Sequence, residues 1–332
     1  MTAKTAVGIL GIGSYVPERV VTNHDLTKTI DTSDEWIIER TGIRERHIVG
    51  EGEATSDMAT RAAERALQDA GISAEELDLI IVATVSPDMA FPSTACLVQD
   101  NLKATKAAAF DLTAVCTGFI YGLVTASAFI QAGTYKKILV IGAEALSKIT
   151  DWEDRNTAIL FGDGAGAVVL GETKPGHGIL GTYLGAEGAG GDLLKLPAGG
   201  SRQPASAETI EKRLHFTHMD GNEVFKFAIK VMGEAANKAL ENAGLTKENV
   251  DLLVPHQANL RIIQSAAKRL NLPMDRVVVN VDKYGNTSAA SVPIALDEAV
   301  KSGRIKNGDT LVLVGFGGGL TWGASVIKWY KE

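Results

Sequence analysis

Two stretches of this chain repeat themselves at one spacing. Ala66-Leu67-Gln68-Asp69-Ala70-Gly71, leading into Leu77-Asp78-Leu79-Ile80, returns 173 residues later as Ala239-Leu240-Glu241-Asn242-Ala243-Gly244, leading into Val250-Asp251-Leu252-Leu253. The same offset carries Leu139-Val140-Ile141-Gly142 onto Val312-Leu313-Val314-Gly315. One such match is what chance supplies; two at a single offset, with no gap between them, point to a duplicated unit. Two copies at so long a period do not make a solenoid and fit two related domains packed together, with a site expected between them. At 332 residues there is room for two cores. The polar connection Glu172-Thr-Lys-Pro-Gly-His177 separates two strand-like runs and sets the expected boundary, giving halves 1–174 and 175–332.

Within each half, short apolar runs read as buried strands: 6–12, 79–85, 107–112, 138–142 and 165–170, then 252–254, 277–279 and 311–314. Longer helical stretches alternate with them at 56–70, 116–132, 223–242, 260–270 and 288–301. This alternation makes the class α/β, with sheets covered on both faces. The stretch 185–207 is rich in Gly, Ala, Ser and Pro and is expected to be a long surface loop folding over a site.

Charge and cysteine content remove several functions. With 33 Lys and Arg against 40 Asp and Glu, the net charge of −7 disfavours nucleic acid or an anionic membrane surface as partner, so an anionic ligand needs a local basic patch. No apolar run approaches the ~18 residues a bilayer span requires. The chain passes into Ala6-Val7-Gly8-Ile9-Leu10 without a signal-peptide layout, and a cytoplasmic protein is expected. Cys96 and Cys116 are too few for a disulfide scaffold or a cysteine-built zinc site. Gly11-Ile-Gly13 and Gly162-Asp-Gly-Ala-Gly166 complete neither a dinucleotide nor a phosphate loop.

Four places carry candidate chemistry. Cys116 lies where an apolar strand gives way to a helix, and a helix N-terminus favours thiolate over thiol; its bland alternative is a small buried hydrophobe. Cys96 has no such junction. His256 follows the strand at 252–254, at the end where α/β sheets present ligands, although a single histidine there is more often structural. Asn286 in Tyr284-Gly-Asn-Thr-Ser288 reads locally as a turn former or cap. Gly315-Phe-Gly-Gly-Gly319 permits backbone N–H groups to approach a reacting oxygen, or forms a tight hairpin.

Taken together with Thr32-Ser-Asp-Glu-Trp-Ile37, Arg40-Thr-Gly-Ile43, Phe161-Gly-Asp-Gly-Ala-Gly-Ala167 and Pro255-His-Gln-Ala-Asn259, these segments resemble the thiolase-like condensing enzymes. The likeness is specific to the β-ketoacyl-acyl carrier protein synthase III family and covers essentially the whole chain. It implies a five-layer αβαβα fold of two halves related by a pseudo-dyad, assembled as a homodimer. It further implies decarboxylative condensation of a short acyl-CoA with malonyl-acyl carrier protein, the initiating step of type II fatty acid synthesis, with no metal and no cofactor.

By the same resemblance Cys116 is the acyl-accepting nucleophile, His256 and Asn286 are its partners, and the backbone amides of Cys116 and Gly318 form an oxyanion hole. Trp36 and Arg155 match the pair that sandwiches adenine, Thr32 and Arg40 match nearby nucleotide contacts, and Asn222 and Asn259 match pantetheine contacts. Lys226, Arg261, Lys268 and Arg269 form the expected docking patch for an acidic carrier protein. Phe91 matches a residue that crosses the dimer to floor the partner's acyl pocket. A polyketide-initiating or β-keto acid-forming relative shares the Cys, His and Asn set. A papain-like hydrolase and a noncatalytic ketosynthase subunit are opposed, respectively, by the duplicated α/β layout and by the presence of all three residue types. Which acyl primer is preferred is not readable, since one methylene changes selectivity by only about 1–3 kcal/mol.

Overall fold

The computed structural model describes residues 5–331 and divides their main strands between two sheets of matching order. The first contains β1 (Val7–Tyr15), β2 (Leu79–Ala83), β3 (Ala108–Leu112), β4 (Ile138–Glu144) and β5 (Gly164–Glu172), arranged β1-β5-β4-β2-β3. The second contains β6 (Gly178–Ala186), β7 (Leu252–Pro255), β8 (Thr310–Gly317) and β9 (Thr321–Lys328), arranged β6-β9-β8-β7. In each sheet the corresponding pair is parallel, β2 with β4 and β7 with β8. The next two pairings are antiparallel in both.

Helices fill three layers around the sheets. The main ones are α1 (Thr55–Ala70), α2 (Gly118–Gln131), α3 (Gly221–Asn242), α4 (Leu260–Arg269) and α5 (Ser291–Lys301). α2 carries no charged side chain and, with α5, packs between the sheets in a core that includes Phe119, Leu123, Val292 and Leu296. α1 covers the outer face of the first sheet through Met58, Ala62 and Ala66. α3 and α4 cover the second through Ala228, Met232, Ala236 and Ile263. Both α1 and α3 keep their charged residues on the solvent side, the pattern of a helix with one buried stripe. This is the five-layer α/β arrangement that the resemblance implies.

The duplication reaches atomic detail. In β1 the register skips Leu10, and Gly11 follows; in β6 it skips Leu180, and Gly181 follows. A Cβ on Gly11 would lie 2.4 Å from Ala66 O and 2.4 Å from Ala70 N, and one on Gly181 would lie 2.4 Å from Ala239 O and 2.5 Å from Ala243 N. Ala239 and Ala243 are the repeat partners of Ala66 and Ala70. Each half therefore presses a glycine onto the backbone of its outer helix, an approach that any side chain would block. The single turns Val115–Thr117 and Ser288–Ala290, which precede α2 and α5, also correspond at 173 residues, and each opens on a left-handed residue, φ +48° at Val115 and +47° at Ser288.

Some expectations change. Residues 277–279 form no strand; Val277 makes an isolated bridge to Leu253, at the position where the first sheet has β3. β3 itself is a partly exposed edge, with Phe110 on the surface, rather than a buried strand. The helix after Cys116 begins at Gly118, and Cys116 sits in the preceding turn.

Replacing Gly11 or Gly181 by alanine is expected to destabilise the protein by about 1–3 kcal/mol, because the clash is with backbone that cannot rotate away. Gly188→Ala, where a Cβ meets nothing within 4 Å, is the control and should stay within about 0.5 kcal/mol. Urea denaturation of the three variants checks this.

Candidate active site

The joint between the halves encloses a cavity of about 850 Å³ whose inner wall includes Cys116, His256, Asn286, Phe316 and Gly317. Each arrives from a different element: Cys116 from the turn before α2, His256 from the end of β7, Asn286 from the loop before α5, and Phe316 and Gly317 from the end of β8. Of the two glycines at this strand end, Gly317 is the one that the approach requires. A Cβ on Gly315 would lie 3.6 Å from both Cys116 O and His256 Cβ, and one on Gly317 would lie 2.6 Å from Cys116 N. The strand end thus lies directly against the cysteine turn. Gly317 lines the cavity, and the adjacent Gly318 lies outside its lining, its carbonyl accepting from Thr321 Oγ1 (3.1 Å).

His256 is 1% exposed, its backbone N–H donating to Val314 O (2.8 Å) and its ring edge-on to Phe316. Nδ1 lies 2.6 Å from Ser291 Oγ. That oxygen also accepts the Gln257 N–H (3.3 Å), and its own proton is free to be donated to Nδ1, the arrangement in which the neutral ring carries its hydrogen on Nε2. Nε2 is buried without a partner among the described residues. Desolvation pushes the imidazole pKa down to about 3, so the ring stays neutral at physiological pH.

Asn286 is locked in a similar way. Its backbone N–H donates to Leu160 O (2.8 Å), and its Oδ1 accepts from Ser288 N–H (2.9 Å), which leaves Nδ2 as the donor available to the cavity. The local pattern of Tyr284-Gly-Asn-Thr-Ser288 reads as a turn former, and the Oδ1 bond is of that kind. What the pattern does not reveal is that the turn abuts Cys116.

At Cys116 the structure opposes the expectation of a favoured thiolate. The side chain is buried, and desolvation pushes its pKa up to about 12, with Ser288 as a hydrogen-bonding influence in the opposite direction and the Glu144 carboxyl adding to the rise. Cys96 is exposed and remote from the cavity lining. Glu144, at the end of β4, is fully buried, and burial lifts its pKa to about 7. Glu144, Ser288 and Ser291 are neighbours of the site that the sequence pattern did not single out; a glutamate closing an apolar strand was the available signal.

Toward solvent, Trp36, Arg40, Asn222, Asn259 and Arg261 line the cavity mouth. The guanidinium groups of Arg40 and Arg155 lie 4.5 and 4.7 Å from the Trp36 ring centroid. Arg155 and Thr32 are not in the main lining; Arg155 borders a neighbouring cavity of about 360 Å³ and donates to Asp31 O (3.2 Å). Asn259 caps α4, its Oδ1 accepting from Arg261 N–H (2.8 Å) while Nδ2 donates to Arg40 O (2.8 Å), so both ends of its amide serve the fold. The Gly-rich stretch 185–207 is not a plain loop. Leu194–Lys195 pairs with His218–Met219, and these four residues line the mouth.

Of the expected docking cations, Arg261 stacks over Phe225 at the start of α4, and exposed Lys268 and Arg269 close the same helix. Exposed Lys226 is paired with Glu223 (2.6 Å), which reduces its free charge. Phe91 lies outside the cavity lining and is 84% exposed. Among the described residues no cluster of potential metal ligands occurs, and no helix is long and apolar enough to cross a membrane.

Comparison with known proteins agrees along the whole length. Residues 110–188 match the family described as 3-Oxoacyl-[acyl-carrier-protein (ACP)] synthase III, and residues 240–329 match its C-terminal counterpart. A β-ketoacyl-[acyl-carrier-protein] synthase III from Caldanaerobacter subterraneus is 62% identical over 331 residues, covering 100% of both chains. The crystal structure of 3-oxoacyl-[acyl-carrier-protein] synthase III from Aquifex aeolicus superposes with a TM-score of 0.90 at 50% identity, covering 97% of this chain and 100% of that one. The priming β-ketosynthase of the R1128 polyketide pathway superposes with a TM-score of 0.90 at 36% identity, covering 98% and 97%.

The two buried groups act on stability in opposite directions. The unfolded His256 side chain takes a proton below pH 6.5 that the folded ring refuses until about pH 3, so its contribution is complete above 6.5 and falls on acidification. Folded Glu144 stays protonated up to about 7, so its contribution is complete below 4.5 and is lost as pH rises. Between pH 6.5 and 4.5, His256→Gln should therefore gain on the parent protein by up to about 1.4 kcal/mol per unit of acidification, and Glu144→Gln should lose by a similar slope. Urea denaturation at three pH values measures both.

Proposed function

Since the chain belongs to the β-ketoacyl-[acyl-carrier-protein] synthase III family and is an acyltransferase-type condensing enzyme, we propose that it joins a short acyl-CoA to malonyl-acyl carrier protein through an acyl-Cys116 intermediate. The observation that carries this reading is the convergence of one thiol and two neutral donors, His256 Nε2 and Asn286 Nδ2, on a single cavity between the halves. In this reading the product initiates type II fatty acid synthesis in the cytoplasm.

In the first step the Cys116 sulfur attacks the thioester carbonyl of acyl-CoA. The new C–S bond replaces the one to CoA, and the thiol proton leaves on the CoA sulfur. The amides of Cys116 and Gly318 receive the transient oxyanion. The second step breaks the malonyl C–C bond to release CO2, and the electron pair moves onto the thioester oxygen as an enolate. His256 Nε2–H and Asn286 Nδ2–H donate to that oxygen. A neutral histidine suits this role, because burial keeps its proton count constant across the working pH range. The enolate carbon then attacks the acyl-cysteine, forming the new C–C bond and releasing Cys116, which regains a proton.

The mouth supplies binding. The 4.7 Å separation of Arg155 from Trp36 leaves no room for a third flat ring, so adenine entry requires Arg155 to lift away. Thr32, Arg40, Asn222 and Asn259 would contact the remainder of CoA, with Asn259 first giving up a fold contact. Arg261, Lys268 and Arg269, helped by Lys226, would receive the acidic carrier protein. The edge strand β3 with surface Phe110, and the exposed Phe91 beside Met89, fit a homodimer in which Phe91 enters the partner's acyl pocket. The halves in this assembly are 1–174 and 175–332. A polyketide-priming role is the second reading, favoured only by the likeness to the R1128 enzyme.

Intact mass spectrometry after incubation with short straight and branched acyl-CoAs should show one added acyl group, absent in Cys116→Ala. His256→Ala and Asn286→Ala should still acylate yet condense about 10²–10³-fold more slowly with malonyl-acyl carrier protein. Acylation without condensation in the parent protein would remove the proposed second step. Phe91→Glu should convert dimer to monomer in light scattering; a parent protein that is already monomeric would remove the dimer proposal.

A further inference from the structure

Behind the cysteine turn lies a buried carboxyl that this chemistry does not use. Glu144 closes β4 with no exposed surface. Its Oε2 accepts from Thr84 Oγ1 (3.2 Å), Val85 N (3.1 Å) and Ser86 Oγ (2.6 Å), all neutral donors. Its Oε1 is buried with no hydrogen-bond partner among the described residues. A carboxyl desolvated in this way, without a cation, is pushed up to about 7, so it holds its proton at mildly acidic pH and still holds about half of it at neutrality.

The strand's own geometry shows what Glu144 faces. Alternate residues of a strand share a face, and two residues earlier a Cβ on Gly142 would lie 2.2 Å from Ala289 O. Glu144 is therefore directed at the Ser288–Ala290 turn. On that turn Ser288 Oγ is likewise buried with no hydrogen-bond partner among the described residues. It is also close enough to act on the protonation of both Glu144 and Cys116, favouring the charged form of each.

The repeat supplies an internal control. Moving 173 residues takes Ser288-Ala289 back to Val115-Cys116 and Glu144 forward to Gly317. Both turns have the same left-handed opening residue. The cysteine turn folds with Val115 and Gly317 in these places, so the fold does not require a polar pair there. Serine and glutamate stand only in the copy that faces the nucleophile.

We infer that Glu144 and Ser288 are positioning residues for Cys116: as thiolate develops, the two unpartnered atoms pair, the Glu144 carboxyl donating its proton from Oε1 to Ser288 Oγ while the Ser288 hydroxyl turns toward the sulfur. Neither group gains or loses a proton overall. The enolate step touches His256 and Asn286 instead, so the pair serves acylation and not decarboxylation. That distinction rests on the proposed function, whereas reactivity of the thiol toward an alkylating agent does not.

The test uses the full chain carrying Cys96→Ser, because exposed Cys96 would otherwise consume the reagent. Iodoacetamide alkylation of Cys116 at pH 7 and single-turnover acylation by acyl-CoA are expected to slow about tenfold in Ser288→Ala, one unit of thiol pKa. Malonyl decarboxylation by the preloaded acyl-enzyme should stay within about twofold of the parent, on the principle that it lacks any contact with the sulfur's donor. Glu144→Ala should match Ser288→Ala, and Glu144→Gln, which retains a donor, should restore alkylation. If Ser288→Ala does not fold, the contrast between the two Glu144 variants decides the matter.

Alkylation at the parent rate in Ser288→Ala, or equal slowing of decarboxylation, would overturn the inference. So would faster alkylation in Glu144→Gln, because it would mean that a charged carboxylate had been opposing the thiolate. If the parent protein takes no acyl group from any acyl-CoA, the proposed function fails while the alkylation arm still judges the pair.

Discussion

Everything at the centre of this protein depends on how closely the two halves approach. Gly142 lies against the carbonyl of Ala289, and Gly317 lies against the amide of Cys116. Each contact places the end of one half's central strand against the other half's turn. A methyl group at either position would meet backbone, which cannot rotate aside, and would prise the halves apart. The cysteine, the histidine and the asparagine come from three separate elements. Their meeting therefore depends on this joint rather than on any local sequence.

Close approach also determines the electrostatics. Without water, a thiol, an imidazole and a carboxyl are each shifted toward the uncharged form: Cys116 is pushed up to about 12, His256 down to about 3, and Glu144 up to about 7. A site of neutral groups stabilises negative charge through aimed N–H and O–H bonds. Ser291 on His256 and the Ser288 amide on Asn286 do the aiming, each occupying one side of its partner and leaving the other side free. A helix N-terminus alone would have predicted a reactive thiolate at Cys116. Burial outweighs it in the unliganded protein, because desolvation of a charge costs more than the dipole of one short turn returns.

The pattern of the sequence made much of the fold legible, and each miss has its own cause. Strands 79–83 and 138–144 were readable as continuous apolar runs buried on both faces, and helices 55–70 and 221–242 because their burial is periodic. β6 escaped because Gly178, Gly181 and Gly185 interrupt its apolar run, and these are glycines because the Val7 carbonyl, a helix backbone and the Trp322 ring, respectively, lie against them. Residues 277–279 have strand composition without a ladder, since only Val277 finds a partner. The pairing of Leu194–Lys195 with His218–Met219 across the cavity mouth joins segments whose composition reads as loop.

For the site, the chain by itself determined which residues were candidates. The 173-residue repeat announced two halves, and Cys116, His256 and Asn286 stood at the ends of recognisable elements. Their identities follow from local patterning, which is written along one dimension. Tertiary structure alone decided that they share a cavity, that Asn259 spends its amide on Arg40 and α4, and that Arg155 rests on Trp36. It alone brought Glu144 and Ser288 up behind the nucleophile. Several of those relations join residues of opposite halves, and they arise only when glycine-lined surfaces meet and exclude water.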